Sequence, residues 1–320
     1  MNGILLTGVS GFVGGAIHER LVMEGVGALT VALRQSMPAL PDSTRQVLIA
    51  AIDAQTDWAE ALNGVDTVIH SAARVHVMSD NSENPLEEFR KVNVAGTLNL
   101  ARQAVDAGVR RFIFISSIKV NGEGTMPGSP FFADAVPAPV DPYGISKMEA
   151  EQALLKLADQ TGIEVVIVRP PLVYGPGVKA NFLNMMKWLK KGIPLPFGSI
   201  NNRRSLVALD NLVDLIVLCI RHPGAAGQTF LVSDGEDLST SELLRRMGAA
   251  LGVPSRLIPV PSWMLEMGAS MLGKKDLSQR LCGSLQVDIT KNRELLGWVP
   301  PNSVEQSLAL AARHFLKSAG

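Results

Sequence analysis

Tyr143 and Lys147 stand four residues apart in the segment DPYGISKMEAEQAL. In a helix, side chains at this spacing lie on one face, so the ammonium of Lys147 would stand beside the phenol of Tyr143. A neighbouring cation favours the phenolate and would lower the pKa of the tyrosine from its ordinary value of about 10. Asp141 and Pro142 are typical of an N-cap and a first helical residue. The segment predicts a proton-transfer pair at the start of a helix; a surface tyrosine with a solvated lysine is the alternative for this spacing taken alone.

A glycine-rich turn near the start of the chain supplies the context for that pair. The segment GILLT has the pattern of a short buried strand, and FVGGAIHERLVMEG has that of an amphipathic helix ending at Gly25 or Gly27. Between them stand Gly8, Gly11 and Gly14, in the spacing G-x-x-G-x-x-G. Glycines let the backbone approach a pyrophosphate closely, and the free amides of the helix start attract phosphate. Strand, turn and helix in this order predict a dinucleotide-binding βαβ unit.

The ends of the next strands offer further cofactor contacts. The second strand, LTVAL, is followed by Arg34, about twenty residues after the glycine turn, where an NAD site usually has an acid. A guanidinium there suits the extra phosphate of NADP, although Arg34 could also be a solvated strand end. The pattern favours NADPH, with NADH as the alternative. A third strand, VLIAAI, runs into Asp53, and a fourth, DTVIH, leads to the small residues Ala72 and Ala73, beside which a cofactor could lie closely.

Composition limits the classes of function. The 320 residues are 47% hydrophobic and 19% charged, enough for a large core, and 30 basic residues balance 30 acidic ones. Zero net charge argues against nucleic acid or an anionic membrane as the main partner. Cys219 and Cys282 form neither a metal spacing nor a disulfide framework. The first strand begins directly after Met1, and no apolar run approaches a membrane span because Asp214 interrupts LVDLIVLCI. We expect a cytoplasmic protein with no metal site and no stable membrane insertion.

Strand patterns alternate with helical patterns along the first half of the chain. Strands are predicted near residues 2–7, 28–33, 47–52, 66–70, 111–116 and 164–168. This alternation predicts an α/β fold with a doubly wound parallel sheet and right-handed crossovers. We expect residues 1–170 to form a Rossmann NAD(P)-binding domain. Residues 171–320 should form mainly a smaller substrate-binding lobe, interleaved with late strands of the main sheet.

Helical patterns continue through both halves. Later helices are predicted at residues 178–191, 239–251 and 302–317. A long helix beginning near Pro85 contains Asn93 among apolar residues, and we expect this amide to satisfy a local backbone group or to help hold a water or Lys147. Packing of the helices at 85–107 and 142–160 on their copies predicts a homodimer. The apolar stripes MMKWLKK and SWMLEMGASML favour core or pocket packing over a membrane surface, and the histidines, His76 included, are expected to be structural.

The fifth strand, RFIFIS, delivers Ser116 and Ser117 to its carboxyl end, where ligands bind in open α/β sheets. A serine there can hydrogen-bond a substrate oxygen and share a proton with Tyr143, although serines also end strands without any function. With Tyr143 and Lys147 nearby, the strand end predicts the third member of a catalytic group.

The motifs TGVSGFVG, HSAA, VNVAGT, SSIKVNGE, PYGISK and RPPLVYGPG follow one another in this order. Over nearly its whole length, the chain therefore resembles the extended short-chain dehydrogenase/reductases that act on nucleotide sugars. The resemblance implies that Ser117 is the catalytic serine and Tyr143 the acid/base, while Lys147 binds the nicotinamide ribose and lowers the tyrosine pKa. It also implies three sets of cofactor contacts. The pyrophosphate would lie against Gly8, Gly11, Phe12, Val13 and Gly14. The adenine would contact Asp53 and Ala54, and the nicotinamide side would be lined by Ala72, Ala73, Asn93 and Pro170.

More narrowly, RVHVMSDNSENPLEEFRKVN and SSIKVNGE resemble bacterial reductases that convert a UDP-4-keto-6-deoxy-N-acetylhexosamine to UDP-N-acetylfucosamine or UDP-N-acetylquinovosamine for surface polysaccharide. The resemblance implies substrate contacts in the second lobe: Asn181 with phosphate, Leu195 and Phe197 with uracil, and Arg204, with Arg280 as a further candidate, with the diphosphate. The alternatives are a helix cap for Asn181, core packing for Phe197 and a solvated pair for Arg203 or Arg204.

Departures from the sugar epimerases favour reduction. Asn121 replaces a tyrosine common in the SSxxVYG segment, and apolar Leu172 stands where an asparagine often meets the nucleotide. Lys119 would contact a sugar oxygen or be a solvated loop lysine. We therefore expect reduction of a C4 ketone, with proton donation from Tyr143. The alternatives are a UDP-sugar 4-epimerase with tightly bound NAD and a non-catalytic dinucleotide-sensing protein, which would not need the catalytic group.

Overall fold

A computed structural model of the chain describes residues 3–75, 84–271, 279 and 281–318. Arg280 and His76 lie outside the described residues. Within these described residues there are ten strands, namely β1 (Gly3–Thr7), β2 (Leu29–Leu33), β3 (Thr44–Leu48), β4 (Val65–His70), β5 (Arg111–Ile115), β6 (Glu164–Arg169), β7 (Leu172–Tyr174), β8 (Arg204–Ala208), β9 (Thr229–Leu231) and β10 (Asp237–Leu238).

Seven of the strands make one parallel sheet in the order β3-β2-β1-β4-β5-β6-β9. All residues of β1, β2 and β5 are buried, as expected for parallel strands covered on both faces. The strand order reverses direction between β1 and β4, and ligands of such sheets bind at the carboxyl ends of the strands beside this reversal. The doubly wound parallel fold predicted from the sequence is confirmed.

Some helices cover the two faces of this sheet, and others belong to the second half of the chain. They are α1 (Phe12–Met23), α2 (Ala59–Leu62), α3 (Pro85–Phe89), α4 (Thr97–Asp106), α5 (Pro142–Thr161), α6 (Ala180–Lys190), α7 (Leu209–Arg221), α8 (Thr240–Leu251), α9 (Ser262–Met271), α10 (Thr290–Leu296) and α11 (Val304–Ser318). A π-helical segment, Arg90–Gly96, joins α3 to α4. Side chains of α1 and α7 pack on one face of the sheet, and those of α4 and α5 pack on the other.

The second half of the chain builds a smaller core of its own. Strands β10, β8 and β7 form a three-stranded sheet, and α6, α8 and α11 pack around it. Two elements of this half return to the main sheet: β9 pairs in parallel with β6, and α7 packs on one of the faces. Within the described residues, no helix is both long and apolar enough to cross a membrane.

The third strand lies earlier than its apolar run predicts. Residues 47–52 were the expected strand, whereas β3 spans Thr44–Leu48 and leaves Asp53 in a following turn. The reason is that β3 is an edge strand paired only with β2, and its five residues match the five residues of β2. Thr44 and Val47 are buried on opposite faces of the strand, while Arg45 and Leu48 are exposed.

The two apolar stripes of the second half differ in their packing. In α6, Met185 and Met186 are buried in the core, as predicted. For the SWMLEMGASML segment, core packing, one of the two predicted arrangements, is wrong, because Trp263 and Met271 on α9 are 61% and 79% exposed; pocket packing stays a prediction. None of the described side chains of α9 is fully buried.

Candidate active site

The glycine turn brings the start of α1 against the ends of β1 and β4. Gly8 has φ +82°, and a Cβ atom there would lie 2.7 Å from the backbone nitrogen of Ala72. A Cβ on Gly14 would lie only 2.1 Å from the carbonyl oxygen of Gly8. Gly11 is the N-cap of α1 and provides no side-chain cap, so the first amides of the helix, including those of Phe12 and Val13, have none. The first amides of α1 therefore have no side-chain cap, and Gly8 and Gly14 place no side chain beside them. Such a helix start fits the pyrophosphate of a dinucleotide.

A buried histidine fastens the end of β4 to its neighbours. The Nδ1 atom of His70 lies 2.8 Å from Thr7 Oγ1, and its Nε2 atom lies 3.0 Å from Thr97 Oγ1. The same Thr7 hydroxyl accepts a hydrogen bond from the amide of Ala72. Burial, together with the charge of Lys147, lowers the pKa of His70 to about 3. The ring is therefore neutral at physiological pH and serves to position the segment that carries Ala72 and Ala73.

The two residues predicted to contact the adenosine half of the cofactor differ in their surroundings. Arg34 directly follows β2 and is exposed, and it has no hydrogen-bond or ion-pair partner among the described residues. In contrast, Asp53 Oδ1 accepts hydrogen bonds from the amide of Gln55 and the hydroxyl of Thr56, which lower the pKa of the aspartate. Asp53 thus holds its own turn and presents the exposed Ala54 at its tip.

Helix α5 presents Tyr143 from its first turn. Asp141 is the N-cap, with Oδ1 accepting a hydrogen bond of 2.6 Å from the amide of Gly144, and Pro142 is the first helical residue, both as predicted. The ring of Tyr143 packs edge-on against Phe89, with centroids 5.9 Å apart. Its hydroxyl hydrogen-bonds with Ser117, which lies just beyond the end of β5.

Lys147 lies one turn further along α5 and is buried. Its Nζ atom donates a hydrogen bond of 2.7 Å to the carbonyl oxygen of Ile115 and stands 4.3 Å from the ring centroid of Phe114. Burial lowers the pKa of Lys147 to about 7, against an opposing influence of the Glu151 carboxylate. The ammonium is thus held against Ile115, the last residue of β5, two positions before Ser117.

The expectation that the tyrosine pKa is lowered is wrong in this structure. Burial raises the pKa of Tyr143 to about 12, and the charge of Asp141 acts in the same direction, while the hydrogen bond with Ser117 opposes them. Loss of water around the phenol therefore outweighs stabilisation of its anion. At neutral pH the phenol keeps its proton, so Tyr143 is suited to donate one.

Asn93 and Pro170 secure the walls beside this group. Asn93 Oδ1 accepts from the amide of Arg74 at 2.8 Å, and its Nδ2 donates to the Arg74 carbonyl and to Ser146 Oγ, each at 3.0 Å. Of the roles considered for Asn93, satisfying a backbone group is the one observed. Pro170 is buried, and its carbonyl oxygen accepts a hydrogen bond of 3.0 Å from the amide of Ile118.

The loop after Ser117 holds its polar side chains in protein contacts. The ammonium of Lys119 pairs with the carboxylates of Glu123 and of Asp141, the latter at 3.2 Å. Lys119 is therefore not the solvated loop lysine of the alternative, since it bridges this loop to the N-cap of α5. Asn121 is buried and donates from Nδ2 to the carbonyl oxygen of Phe132 at 3.0 Å.

The predicted substrate contacts of the second lobe are spread over several elements. Asn181 is exposed in the first turn of α6, whose N-cap is Lys179, so the alternative of a helix cap at Asn181 is wrong. Leu195 is buried in the core of the lobe and Phe197 is partly buried against it. Arg204 donates from Nη1 to the carbonyl oxygen of Gly283 at 3.0 Å. The further candidate, Arg280, lies outside the described residues.

Sequence reasoning missed a buried ion pair beside the predicted catalytic group. Glu151 and Arg169 are paired at 2.5 Å, and both are buried. Two signals were available: Glu151 continues the four-residue spacing of Tyr143 and Lys147, and Arg169 ends the otherwise apolar run VVIVR. A charged residue within a buried segment usually has a partner of opposite charge.

The parallel sheet, the glycine turn at its reversal and the Ser117, Tyr143 and Lys147 group define an enzyme of the extended short-chain dehydrogenase/reductase class. The sequence profile of the NAD dependent epimerase/dehydratase family matches residues 4–233. The chain belongs to this family, as the resemblance of its motifs implied.

Relatives of known description include both epimerases and reductases. The chain is 50% identical to a UDP-glucose 4-epimerase of Vibrio cholerae, covering 98% of this chain and 96% of the relative. It is 26% identical to a GDP-6-deoxy-D-mannose reductase of Pseudomonas aeruginosa, covering 95% and 94% of the two chains. The structure of a UDP-glucose 4-epimerase from Thermotoga maritima with UDP-glucose matches with a TM-score of 0.78 at 24% identity, covering 99% of this chain and all of that one. That structural likeness supports the fold.

Proposed function

We propose that this protein reduces the C4 ketone of a UDP-4-keto-6-deoxy-N-acetylhexosamine to UDP-N-acetylfucosamine or UDP-N-acetylquinovosamine, with NADPH as the reductant. The observation that carries the proposal is the exposed guanidinium of Arg34, without a described partner at the end of β2. An acid at this position would serve the ribose hydroxyls of NAD, whereas an arginine suits the phosphate of NADP. A cofactor consumed in each turnover must be exchangeable, as NADPH is.

The chain's residues fit such a cofactor. Gly8 and Gly14 leave no room for a side chain in the turn, and the start of α1 faces it with uncapped amides. Arg34 would hold the additional phosphate, and Lys147 the nicotinamide ribose. When bound, NADPH supplies the hydride that C4 of the sugar accepts.

The catalytic group completes the reduction by moving a proton. Tyr143, whose pKa is raised to about 12, keeps its proton at neutral pH and donates it to the C4 oxygen as negative charge develops there. Ser117 hydrogen-bonds with Tyr143 and would donate to the same oxygen, stabilising that charge. The product is an alcohol at C4, and the phenolate regains its proton from solvent before the next turnover.

A UDP-sugar 4-epimerase is the second candidate, and the 50% identity to the Vibrio cholerae relative favours it. This reaction would use Ser117, Tyr143 and Lys147 as well, but it would retain NAD and return the hydride to the opposite face of C4. The departures at Asn121 and Leu172 support reduction instead. Asn121 stands in place of the tyrosine common in the epimerases and donates a hydrogen bond to the Phe132 carbonyl oxygen, so this position provides no tyrosine hydroxyl for the sugar.

The decisive experiment follows nicotinamide absorbance and product mass together. Purified protein with NADPH and a UDP-4-keto-6-deoxy-N-acetylhexosamine should consume NADPH in step with a product two mass units heavier. UDP-N-acetylglucosamine and UDP-glucose should not be interconverted with their C4 epimers. The reductase proposal fails if the protein carries bound NAD and equilibrates either pair without added cofactor. Dinucleotide binding without turnover of any UDP-sugar would favour a sensor.

We further propose the remaining features that the resemblance implies. Asn181, Phe197 and Arg204 would contact the phosphate, uracil and diphosphate of the substrate, and Leu195 would support the uracil site from the core. The cofactor would bind to residues 1–170 and the nucleotide sugar mainly to residues 171–320. The enzyme would act in the cytoplasm as a homodimer, which analytical ultracentrifugation would test.

A further inference from the structure

A buried ion pair adjoins the catalytic group. Glu151 lies one turn beyond Lys147 on α5, and Arg169 is the last residue of β6. Arg169 Nε donates to both carboxylate oxygens of Glu151, at 3.0 and 3.2 Å, and its Nη2 donates to Oε2 at 2.5 Å. The two residues are only 2% and 5% exposed.

The pair is bonded to two further segments of the active-site wall. From the end of β5, the hydroxyl of Ser116, the neighbour of Ser117, donates to Glu151 Oε1. From the loop after Ser117, Asn121 Oδ1 and the carbonyl oxygen of Ala133 accept from Arg169 Nη1, at 3.0 and 3.3 Å. Helix α5, the end of β5 and the loop from Asn121 to Ala133 are therefore joined through one pair.

Stability alone gives little reason for such a pair. Removing two charges from water costs about as much as their attraction returns, and well-packed apolar residues in their place are often as stable. Apolar residues could not form directed hydrogen bonds to three segments or place a negative charge one turn from Lys147. Both features would help to position the residues of the active site.

Lys147 is faced by few charges other than that of Glu151. On α5 its neighbours are Tyr143, which keeps its proton, and Glu151. From β4 it faces His70, which is neutral because its pKa is lowered to about 3. From β5 it meets the Ile115 carbonyl and the Phe114 ring, and the charge of Arg169 on β6 lies behind Glu151. Glu151 is thus the anion that opposes the effect of burial on the Lys147 ammonium.

We propose that Glu151 and Arg169 are positioning residues: the carboxylate of Glu151 favours the charged form of Lys147, whose ammonium the Ile115 carbonyl holds in place, and Arg169 fixes Glu151 while holding the Asn121–Ala133 loop beside Ser117. The inference rests on the proposed catalytic group of Ser117, Tyr143 and Lys147, and it holds equally for reduction or epimerisation. It differs from a purely structural role in that the charge of Glu151 should influence the reaction through pH.

The test compares two glutamates that pair with arginines on β5 or β6. Glu151→Gln removes the charge beside Lys147. The matched control, Glu164→Gln, removes a carboxylate paired with Arg110 and Arg111 at the opposite end of the same two strands. The readouts are kcat and KM from pH 5 to 9, the pH dependence of NADPH affinity by fluorescence, and the thermal midpoint.

The expected result follows from the charge of Lys147. Since Tyr143 stays protonated over this range, the decrease in kcat at alkaline pH should report the loss of the Lys147 proton, near pH 7. Glu151→Gln should move this fall, and the fall in NADPH affinity, to lower pH by about one unit, with a loss of about tenfold in kcat at pH 8 and little change in KM for the sugar. Glu164→Gln should lower the thermal midpoint without moving either pH profile.

Two charge-conserving variants keep the inference testable if Glu151→Gln does not fold. Glu151→Asp and Arg169→Lys retain the charges but lose the two-pronged geometry, so both should keep the alkaline fall near pH 7 while kcat decreases about fivefold or more. Rates equal to those of the unmutated enzyme would overturn the inference, as would equal pH shifts for Glu151→Gln and Glu164→Gln. If no UDP-sugar is turned over, the proposed function fails, and the pH dependence of NADPH affinity still decides whether Glu151 acts on Lys147.

Discussion

Arg34 offers a direct test of cofactor choice. Replacement by alanine removes a guanidinium that is exposed and has no hydrogen-bond or ion-pair partner among the described residues, so the change should leave the fold intact. Its effect should therefore appear in binding rather than in stability. We expect Arg34→Ala to weaken NADPH binding selectively and to leave NADH binding within about twofold, because NADH lacks the phosphate that the arginine would contact.

The expected loss of NADPH binding free energy follows from the exposure of the Arg34 side chain. A charge-assisted hydrogen bond contributes about 1.5 to 3 kcal/mol, and an exposed side chain that is screened by water and salt belongs at the lower end. A loss of about 1.4 kcal/mol corresponds to a tenfold rise in the NADPH dissociation constant. The difference between the two cofactors should shrink at high salt, since screening acts on exposed charges.

Nicotinamide fluorescence titration at low and high salt measures these constants. Arg45→Ala is the control, because Arg45 lies on the adjacent strand β3, is also exposed and pairs with Glu60 at 3.2 Å. It removes one positive charge from the same edge of the sheet without touching the end of β2. Equal affinities of the unmutated protein for NADPH and NADH, or equal weakening of both by Arg34→Ala, would refute the reasoning.

Three further outcomes test the site. Tyr143→Phe should lower kcat by about 10² to 10⁴, with cofactor binding retained, because it removes the proton donor and keeps the ring; turnover at the original rate in a variant folded by circular dichroism would reject this role. Gly14→Ala should weaken NADPH binding at least about tenfold by titration, since its Cβ would lie 2.1 Å from a carbonyl oxygen of the turn, whereas Gly268→Ala, in open space, should bind normally. Lys119→Met should leave Asp141 without its cation, raise the pKa of Tyr143 and slow the oxidative direction, which needs the phenolate, more than the reductive one; a change confined to the sugar KM would indicate a substrate contact instead.

Local patterns in the sequence were sufficient for much of the fold and for the centre of the site. Hydrophobic periodicity located the parallel strands β1, β2, β4, β5 and β6 to within about two residues, because buried parallel strands are apolar along their whole length. Asp141 and Pro142 marked the start of α5 correctly, since capping depends on a few adjacent residues. The four-residue spacing of Tyr143 and Lys147 needed only a helix to place both side chains at the end of β5.

The tertiary structure alone decided what depends on distant partners. Pairing with β2 placed β3 ahead of its apolar run, and apolar side chains of α9 such as Trp263 and Met271 are exposed. Burial, rather than the adjacent lysine, sets the direction of the Tyr143 pKa, because loss of water is a property of the whole surrounding shell. The Glu151–Arg169 pair joins residues that are 18 positions apart and draws in Asn121 from 48 positions away. Such a pair forms only when the strand, the helix and the loop have packed together, and no local pattern contains that information.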